Sequence, residues 1–292
     1  MTKKRILIQL DTDAQPCTFD GVVAVDADVD HLFRHANVTP ESVQGLVRGA
    51  MFTRGAEELA STAIFIGGSD VAAGSAVLKA VTETFFGPVR VSVMLDSAGA
   101  NTTAAAAVLA AGRHVSLSGA TALVLAATGP VGQRVVRLLA RQGARVRAAS
   151  RSVDRAQQAC DSVAAVIKGA ELEPHETTSP SGLAAALDGA QVVISAGTAG
   201  VELLSAVDRE ACQMLDVAID LCAVPPLGIS GFEVTDKAVE RPRSGGGLTV
   251  CYGALGVGGT KMKIHKAAIR RLFTSNDQVL DAEEIYDLAC DL

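Results

Sequence analysis

The stretch that decides the fold is Leu123-Val124-Leu125-Ala126-Ala127-Thr128-Gly129-Pro130-Val131-Gly132, in which a hydrophobic run leads into a glycine-containing turn. A helix-like segment, Val131–Arg141, and a second apolar run, Arg145–Ala149, follow it, which predicts a strand–turn–helix–strand unit. In such a unit Gly129 lets the backbone approach a pyrophosphate, and Gly132 lets helix and strand pack closely. Free N–H groups at the helix start would face the phosphates. The stretch therefore predicts a dinucleotide site, with contacts from Thr128, Gly129, Pro130, Val131 and Gly132.

The first glycine of the usual fingerprint is replaced by Ala127, so the pattern is A-x-G-x-x-G. The same pattern also occurs in glycine-rich packing turns, and the residues alone leave that alternative open.

The end of the next predicted strand indicates which nicotinamide cofactor is bound. An NAD site usually carries an acid there, about 20 residues after the glycines, but here the strand ends in Ser150, Arg151 and Ser152, and the first acid is Asp154. The planar guanidinium of Arg151 suits a 2′-phosphate, and the two serines add hydroxyl donors. The alternative is an ordinary solvated arginine in a loop. We expect NADP, with NAD possible, and we add Ala196 and Gly197 to the cofactor site.

The rest of the chain also alternates between strand-like and helix-like segments. The first half predicts strands at Arg5–Gln9, Ser61–Phe65 and Val89–Met94, and helices at Pro40–Gly49, Val71–Phe85 and Ala104–Ala111. The second half adds strands at Val192–Ser195, Leu215–Asp220 and Leu248–Tyr252, and helices at Ala156–Ile167, Lys261–Phe273 and Ala282–Leu288. Arg241–Gly247 is predicted as a loop.

This alternation predicts an α/β protein of two domains. We expect an N-terminal α/β substrate and oligomerisation domain with a mostly parallel sheet over residues 1–100. A Rossmann-type NADP-binding domain would follow over 101–292, with its C-terminal helices packing back on the first domain.

Composition excludes several classes of function. The 292 residues are 49% hydrophobic and 20% charged, with a net charge of −6 and no tryptophan, which argues against nucleic-acid binding. Apolar runs are too short to span a membrane, and the run after Lys3-Lys4-Arg5 is too short for a signal peptide. The six cysteines are scattered, without C-x-x-C pairs. We therefore expect a cytoplasmic protein with reduced thiols and no structural metal.

Other polar residues occur where α/β proteins bind ligands. Asp13 follows the first predicted strand and Asp20 comes shortly after, although either aspartate could serve a cap or turn. Lys261 and His265 share one helical stripe with Ala268 and Leu272. That stripe could line a cleft, or it could hold a first-turn lysine and a core histidine; the pattern does not decide between them.

The combined motifs resemble a known family. They are Asp11-Thr12-Asp13, Phe19-Asp20, Asn37-Val38-Thr39-Pro40, Phe52-Thr53-Arg54-Gly55, Ser61-Thr62-Ala63-Ile64-Phe65, Met94-Leu95-Asp96-Ser97, Asn101-Thr102-Thr103, Ala127–Gly132, Pro225-Pro226-Leu227-Gly228-Ile229, Gly253–Gly259 and Asp281–Tyr286. Over essentially its whole length the chain resembles the bacterial NAD(P)-dependent methylene-tetrahydromethanopterin dehydrogenases, which are related to the methylene-tetrahydrofolate dehydrogenases.

The resemblance implies hydride transfer from a reduced pterin one-carbon carrier to NADP, in a cleft between an α/β domain and a Rossmann domain. It implies active-site roles for Lys261, Phe19, Thr103 and His265, and we place Asp13, Asp20, Asn101 and Thr102 in substrate binding. It also implies a homo-oligomer, either a homotrimer or a dimer of trimers.

Three other functions remain open on the sequence. A methylene-tetrahydrofolate dehydrogenase differs only in the carrier. A shikimate- or quinate-type dehydrogenase has the same architecture, but Glu41-Ser42-Val43 stands where its catalytic lysine is expected. A non-catalytic NADP sensor would be distinguished only by assay.

Overall fold

The computed structural model describes residues 3–292, in which strands and helices alternate along the chain. The strands are β1 (Ile6–Asp11), β2 (His31–His35), β3 (Thr62–Gly67), β4 (Ser92–Leu95), β5 (Thr121–Leu125), β6 (Arg145–Ser150), β7 (Glu171–Glu176), β8 (Val192–Ser195), β9 (Val217–Asp220), β10 (Lys237–Pro242), β11 (Leu248–Tyr252) and β12 (Val279–Leu280). The helices are α1 (Thr18–Asp26), α2 (Val43–Phe52), α3 (Val71–Thr84), α4 (Ala100–Gly112), α5 (Pro130–Arg141), α6 (Val153–Val166), α7 (Pro180–Leu187), α8 (Ala206–Ala211), α9 (Ala254–Arg271) and α10 (Ala282–Cys290).

The chain forms two compact units. The first contains the described residues up to Thr102 together with Met262–Leu292, and the second contains Thr103–Lys261. The boundaries fall inside α4 and α9. The sequence partition, 1–100 and 101–292, therefore differs at the C-terminal end, because the segment from Met262 belongs to the first unit and β12 pairs with β4 there.

The first unit is built on a parallel five-stranded sheet in the order β12-β4-β3-β1-β2. Helices α2 and α3 cover one face with apolar side chains such as Val47, Met51 and Val77, which pack against Leu10 and Ile66 of the sheet. Buried strands of this kind are continuous apolar runs, which is why β1 and β3 could be predicted. The edge strand β2, His31–His35, has the burial pattern of a half-exposed strand and no clear apolar alternation.

The second unit carries a seven-stranded sheet in the order β10-β11-β9-β8-β5-β6-β7, parallel except for β10. The chain runs outward from β5 in one direction through β6 and β7, and in the other through β8, β9 and β11. This is the doubly wound arrangement, and its ligand crevice lies at the carboxyl ends of β5 and β8, where the direction of winding reverses. The predicted α/β fold with a Rossmann-type domain is confirmed.

Several predicted boundaries are wrong. Helix α9 begins at Ala254, not at Lys261, because Gly256, Gly258 and Gly259 are helical. Arg241 and Pro242, predicted as loop, end strand β10. Helix α1, strand β2 and strand β7 were not predicted at all. Among residues 3–292, no helix combines the length and the hydrophobicity that crossing a membrane requires.

Candidate functional site

The turn between β5 and α5 is shaped for close backbone approach. A Cβ added at Gly132 would lie 2.4 Å from the carbonyl oxygen of Ala126 and 2.8 Å from Cα of Ala127, so only glycine fits there. At Gly129 the nearest atoms would be 3.5 Å and 3.8 Å away, on Ala126 and Ala196. Gly132 therefore serves the packing of helix against strand, whereas at Gly129 an added Cβ would meet only ordinary van der Waals contacts. Both observations agree with the predicted dinucleotide turn.

Ala127, which replaces the first glycine of the pattern, causes no backbone strain at its own position in the turn. The left-handed backbone occurs one residue earlier, at Ala126, with φ of 56°, and Ala127 is buried with its N–H donating to the carbonyl oxygen of Ala149. Ala127 therefore supplies a packed methyl group in a conformation that any residue adopts. The departure from the glycine pattern does not disturb the geometry of the turn.

Strand β6 ends beside this turn, and the residues predicted to distinguish the cofactors lie at its end. Ser150 is buried, Ser152 is partly exposed, and Arg151 is exposed. The Arg151 guanidinium makes no hydrogen bond or ion pair with any residue in the described range 3–292, so its donors are free for a ligand. The last two predicted contacts, Ala196 and Gly197, follow β8, and the Ala196 N–H donates to the carbonyl oxygen of Leu125 at the end of β5.

A polar pocket that the sequence did not reveal adjoins the turn. Its volume is about 360 Å³, and it is lined by Thr128, Gln133, Arg155, Gln158, Ala159 and Ser162. The lining contains one cation and no carboxylate, and Gln133 is held in place by donating to the Thr128 carbonyl oxygen at 2.8 Å. Such a lining is suited to an anionic ligand.

The carboxyl edge of the first sheet gathers the predicted substrate residues. Asp20 lies on α1 and points towards Gly67 of β3: a Cβ added at Gly67 would lie 3.0 Å from Oδ2 of Asp11 and 3.4 Å from Oδ2 of Asp20. Phe19, next to Asp20, remains 47% exposed. Asp13 instead accepts from the backbone N–H and the hydroxyl of Ser69, both at 2.9 Å, and so joins two loops.

Two predicted substrate residues are buried and serve the structure. The Asn101 side-chain amide donates to the Leu95 carbonyl oxygen at 2.6 Å and to the Asp281 carboxylate at 2.9 Å. Thr102 donates its backbone N–H to Oδ1 of Asp96 at 3.0 Å and its hydroxyl to Oδ2 at 2.6 Å. With exposures of 1% and 0%, neither side chain can touch a substrate in this conformation. We assign both to anchoring the first turn of α4.

His265, predicted to have an active-site role, is also fully buried. Its ring is stacked on Phe65, with centroids 5.6 Å apart, and touches Phe19, with centroids 6.3 Å apart. Nδ1 of the ring lies 3.9 Å from Oδ2 of Asp96. Lys261, one turn earlier on α9, and Thr103 on α4 are both partly exposed, so their polar atoms remain candidates for ligand contact.

Sequence reasoning did not assign Asp96, Phe65 or Asp11 to the site. Asp11 accepts from Gln9, from the Asp13 N–H and from the Cys17 N–H, and so fixes the loop before α1. The available signal was position: Asp11 ends β1, Phe65 lies on β3 and Asp96 directly follows β4, at the edge where α/β proteins bind ligands.

Comparisons with known proteins agree with this arrangement. Residues 18–98 match a family described as methylene-tetrahydromethanopterin dehydrogenase, N-terminal, and residues 126–227 match a family described as NAD(P)H-binding. The chain is 47% identical to the "Bifunctional protein MdtA" of Methylorubrum extorquens over 290 residues, which cover 98% of each chain.

A second relative from the same organism, described as an NAD(P)-dependent methylenetetrahydromethanopterin dehydrogenase, is 29% identical, and the match covers 94% of each chain. Among solved structures, the ligand-free 5-ketofructose reductase of Gluconobacter sp. strain CHM43 matches with a TM-score of 0.51 and 13% identity, covering 99% of each chain. At this identity the structural likeness shows the fold alone.

Proposed function

Because the chain belongs to the methylene-tetrahydromethanopterin dehydrogenase family, an oxidoreductase family of one-carbon metabolism, we propose that it transfers a hydride from methylene-tetrahydromethanopterin to NADP. The products would be methenyl-tetrahydromethanopterin and NADPH. The observation that carries the choice of NADP is Arg151, an exposed cation without an internal partner at the end of β6, where an NAD site usually has an acid.

The residues of the second unit fit a nicotinamide dinucleotide, which accepts the hydride when it is bound. Gly129 directly precedes α5, whose first N–H groups have no partner within the helix, so a pyrophosphate would approach the backbone there without meeting a side chain of residue 129. Arg151 would pair with the 2′-phosphate, and Ser150 and Ser152 would add donors. These contacts hold and orient the cofactor.

The substrate residues would mainly orient and shield the reacting carbon. Loss of hydride from the methylene bridge leaves a resonance-stabilised methenyl cation, so no protein base has to remove a proton. Phe19, which is half exposed, would pack against the pterin face, and Lys261 and Thr103 would hold its polar edge. Positioning of this kind raises the rate of hydride transfer because it holds the two reactants together in the reacting orientation.

The test is a spectrophotometric assay of methenyl formation with purified protein. Tetrahydromethanopterin and tetrahydrofolate carriers are each combined with NADP and with NAD. The proposal expects the highest kcat/KM with the methanopterin carrier and NADP. Turnover with neither carrier would contradict the enzymatic proposal and leave the NADP-sensor alternative.

A second candidate is a methylene-tetrahydrofolate dehydrogenase. The sequence leaves the carrier open, so tetrahydrofolate is tested beside tetrahydromethanopterin. Equal kcat/KM with the two carriers would support a dual activity, and a preference for tetrahydrofolate would replace the first proposal.

The assembly and the compartment follow as further proposals. We expect a homo-oligomer, a homotrimer or a dimer of trimers, which light scattering of the purified chain measures. A cytoplasmic location is consistent with the six cysteines, all within the described residues and all free.

A further inference from the structure

We propose that Asp96 is a positioning residue of the hydride-transfer reaction, acting through the buried ring of His265 on Phe19. The inference rests on the proposed function, since it concerns the residue expected to pack against the pterin. It adds a residue that does not itself touch the substrate.

Both carboxylate oxygens of Asp96 have defined neighbours. Oδ1 accepts from the Thr102 backbone N–H at 3.0 Å, and Oδ2 accepts from the Thr102 hydroxyl at 2.6 Å. Oδ2 also faces Nδ1 of His265 at 3.9 Å. Asp96 is 1% exposed and His265 is 0% exposed, so water screens this pair little. Asp96 therefore anchors the first turn of α4 through hydrogen bonds and faces the histidine on α9 with its charge, beyond hydrogen-bond distance.

A buried carboxylate favours a ring N–H on the side that it faces. A neutral imidazole carries its proton on one nitrogen, and the neighbouring groups decide which one. Asp96 is an acceptor only, so it stabilises the form of His265 with a proton on Nδ1. The charge of the carboxylate thereby favours a proton on the nitrogen that faces it.

The ring transmits this constraint to the site. One face of His265 is stacked on Phe65 at an interplanar angle of 19°, and the ring also contacts Phe19 at an angle of 39°. Phe65 is fully buried on β3, whereas Phe19 is half exposed, so the buried histidine packs between the core and a side chain that reaches the surface. Because hydride transfer depends on alignment, a displacement of about 1 Å can cost about 100-fold in rate.

The variant that tests the proposal is Asp96→Asn. Its amide oxygen can still accept the Thr102 N–H, and its NH₂ group can donate to the Thr102 hydroxyl oxygen, so the helix anchor is preserved. Only the negative acceptor facing His265 is removed. The matched control is Asp70→Asn in the same unit: Asp70 caps α3 by accepting from Ala72 and Ala73, and asparagine is an equally good cap.

The readouts separate positioning from general damage. Wild-type protein labelled with ¹⁵N should show His265 protonated on Nδ1, its signal being assigned by its loss in His265→Gln. In Asp96→Asn the proton should move towards Nε2, and kcat should fall about 10- to 100-fold. NADP affinity should be unchanged, because the dinucleotide turn lies in the other unit, and Asp70→Asn should resemble wild type in every measurement.

A double-mutant cycle tests whether Asp96 acts through the ring. In the His265→Gln background, Asp96→Asn should cause little further loss of kcat. If the two residues acted independently, their separate fold-losses of kcat would multiply in the double variant. A wild-type His265 protonated only on Nε2 would overturn the proposal even if Asp96→Asn does not fold. A loss of kcat no larger than that of Asp70→Asn would also overturn it. The ¹⁵N measurement needs no substrate, so it stands apart from a failure of the proposed reaction.

Discussion

Replacing Arg151 with alanine tests how the protein distinguishes NADP from NAD. The guanidinium is exposed and makes no hydrogen bond or ion pair with any described residue, so its removal breaks no polar contact among residues 3–292. Its loss should therefore appear almost entirely in cofactor binding. A hydrogen bond to a charged group contributes about 1.5–3 kcal/mol, which corresponds to a Kd for NADP raised about 10- to 150-fold. NAD lacks the 2′-phosphate, so its Kd should change little.

The matched control is Arg145→Ala at the other end of the same strand. Arg145 and Arg151 are six residues apart in sequence, or about 20 Å along an extended strand. The control removes the same charge, together with a hydrogen bond to the Gly119 carbonyl oxygen, far from the predicted phosphate. Any effect of net charge alone should therefore appear in both variants.

Both nucleotides are titrated against the three proteins by calorimetry, at low and at physiological salt. The loss specific to Arg151 should shrink at higher salt, because the charges are exposed. Equal losses for NADP and NAD would mean that Arg151 supports the loop and does not contact the phosphate. A wild-type preference for NAD would overturn the cofactor assignment itself.

Three further predictions concern packing, substrate and thiols. Gly132→Ala would place Cβ 2.4 Å from the Ala126 carbonyl oxygen, so urea denaturation should show a loss of about 1–3 kcal/mol in the free energy of unfolding. Phe19→Ala should lower kcat/KM for the reduced pterin by the equivalent of about 1–3 kcal/mol and leave the Kd for NADP unchanged; unaltered kcat/KM would exclude Phe19 from the site. Burial raises the pKa of the Cys251 thiol to about 11, so at pH 8 a thiol reagent should modify exposed Cys17 in the folded protein and Cys251 only after denaturation.

The parts of the fold that could be predicted are those with local patterns. The β5–α5–β6 unit was visible because buried strands are apolar and the turn between them needs glycine at fixed positions. Helix α1 was missed because apolar residues lie on both of its faces: Phe19, Val22 and Val25 are exposed, so they mask the buried stripe of Val23 and Ala24. Strand β2 was missed because it is a polar edge strand.

The start of α9 shows that glycine can occur in a sequence for two different structural reasons. The predicted helix left out the glycines of Gly253–Gly259, yet a Cβ at Gly253 would lie 2.1 Å from the Glu233 carbonyl oxygen, and one at Gly256 would lie 1.8 Å from that of Asp236. These glycines allow the helix to approach the backbone before β10. Glycine occurs both where backbones pack closely and where a loop is flexible. Only the three-dimensional neighbours of the glycine distinguish these two cases.

The histidine on α9 shows the same limit at the candidate site. Its stripe fitted a core residue and a cleft residue equally well, because helical periodicity reports which face is apolar and not what lies opposite. The structure buries the ring among Asp96, Phe65 and Phe19, three residues far from it in the sequence. A core position and a functional role are therefore compatible for His265: a ring that never meets the substrate can still determine where the exposed Phe19 beside it lies.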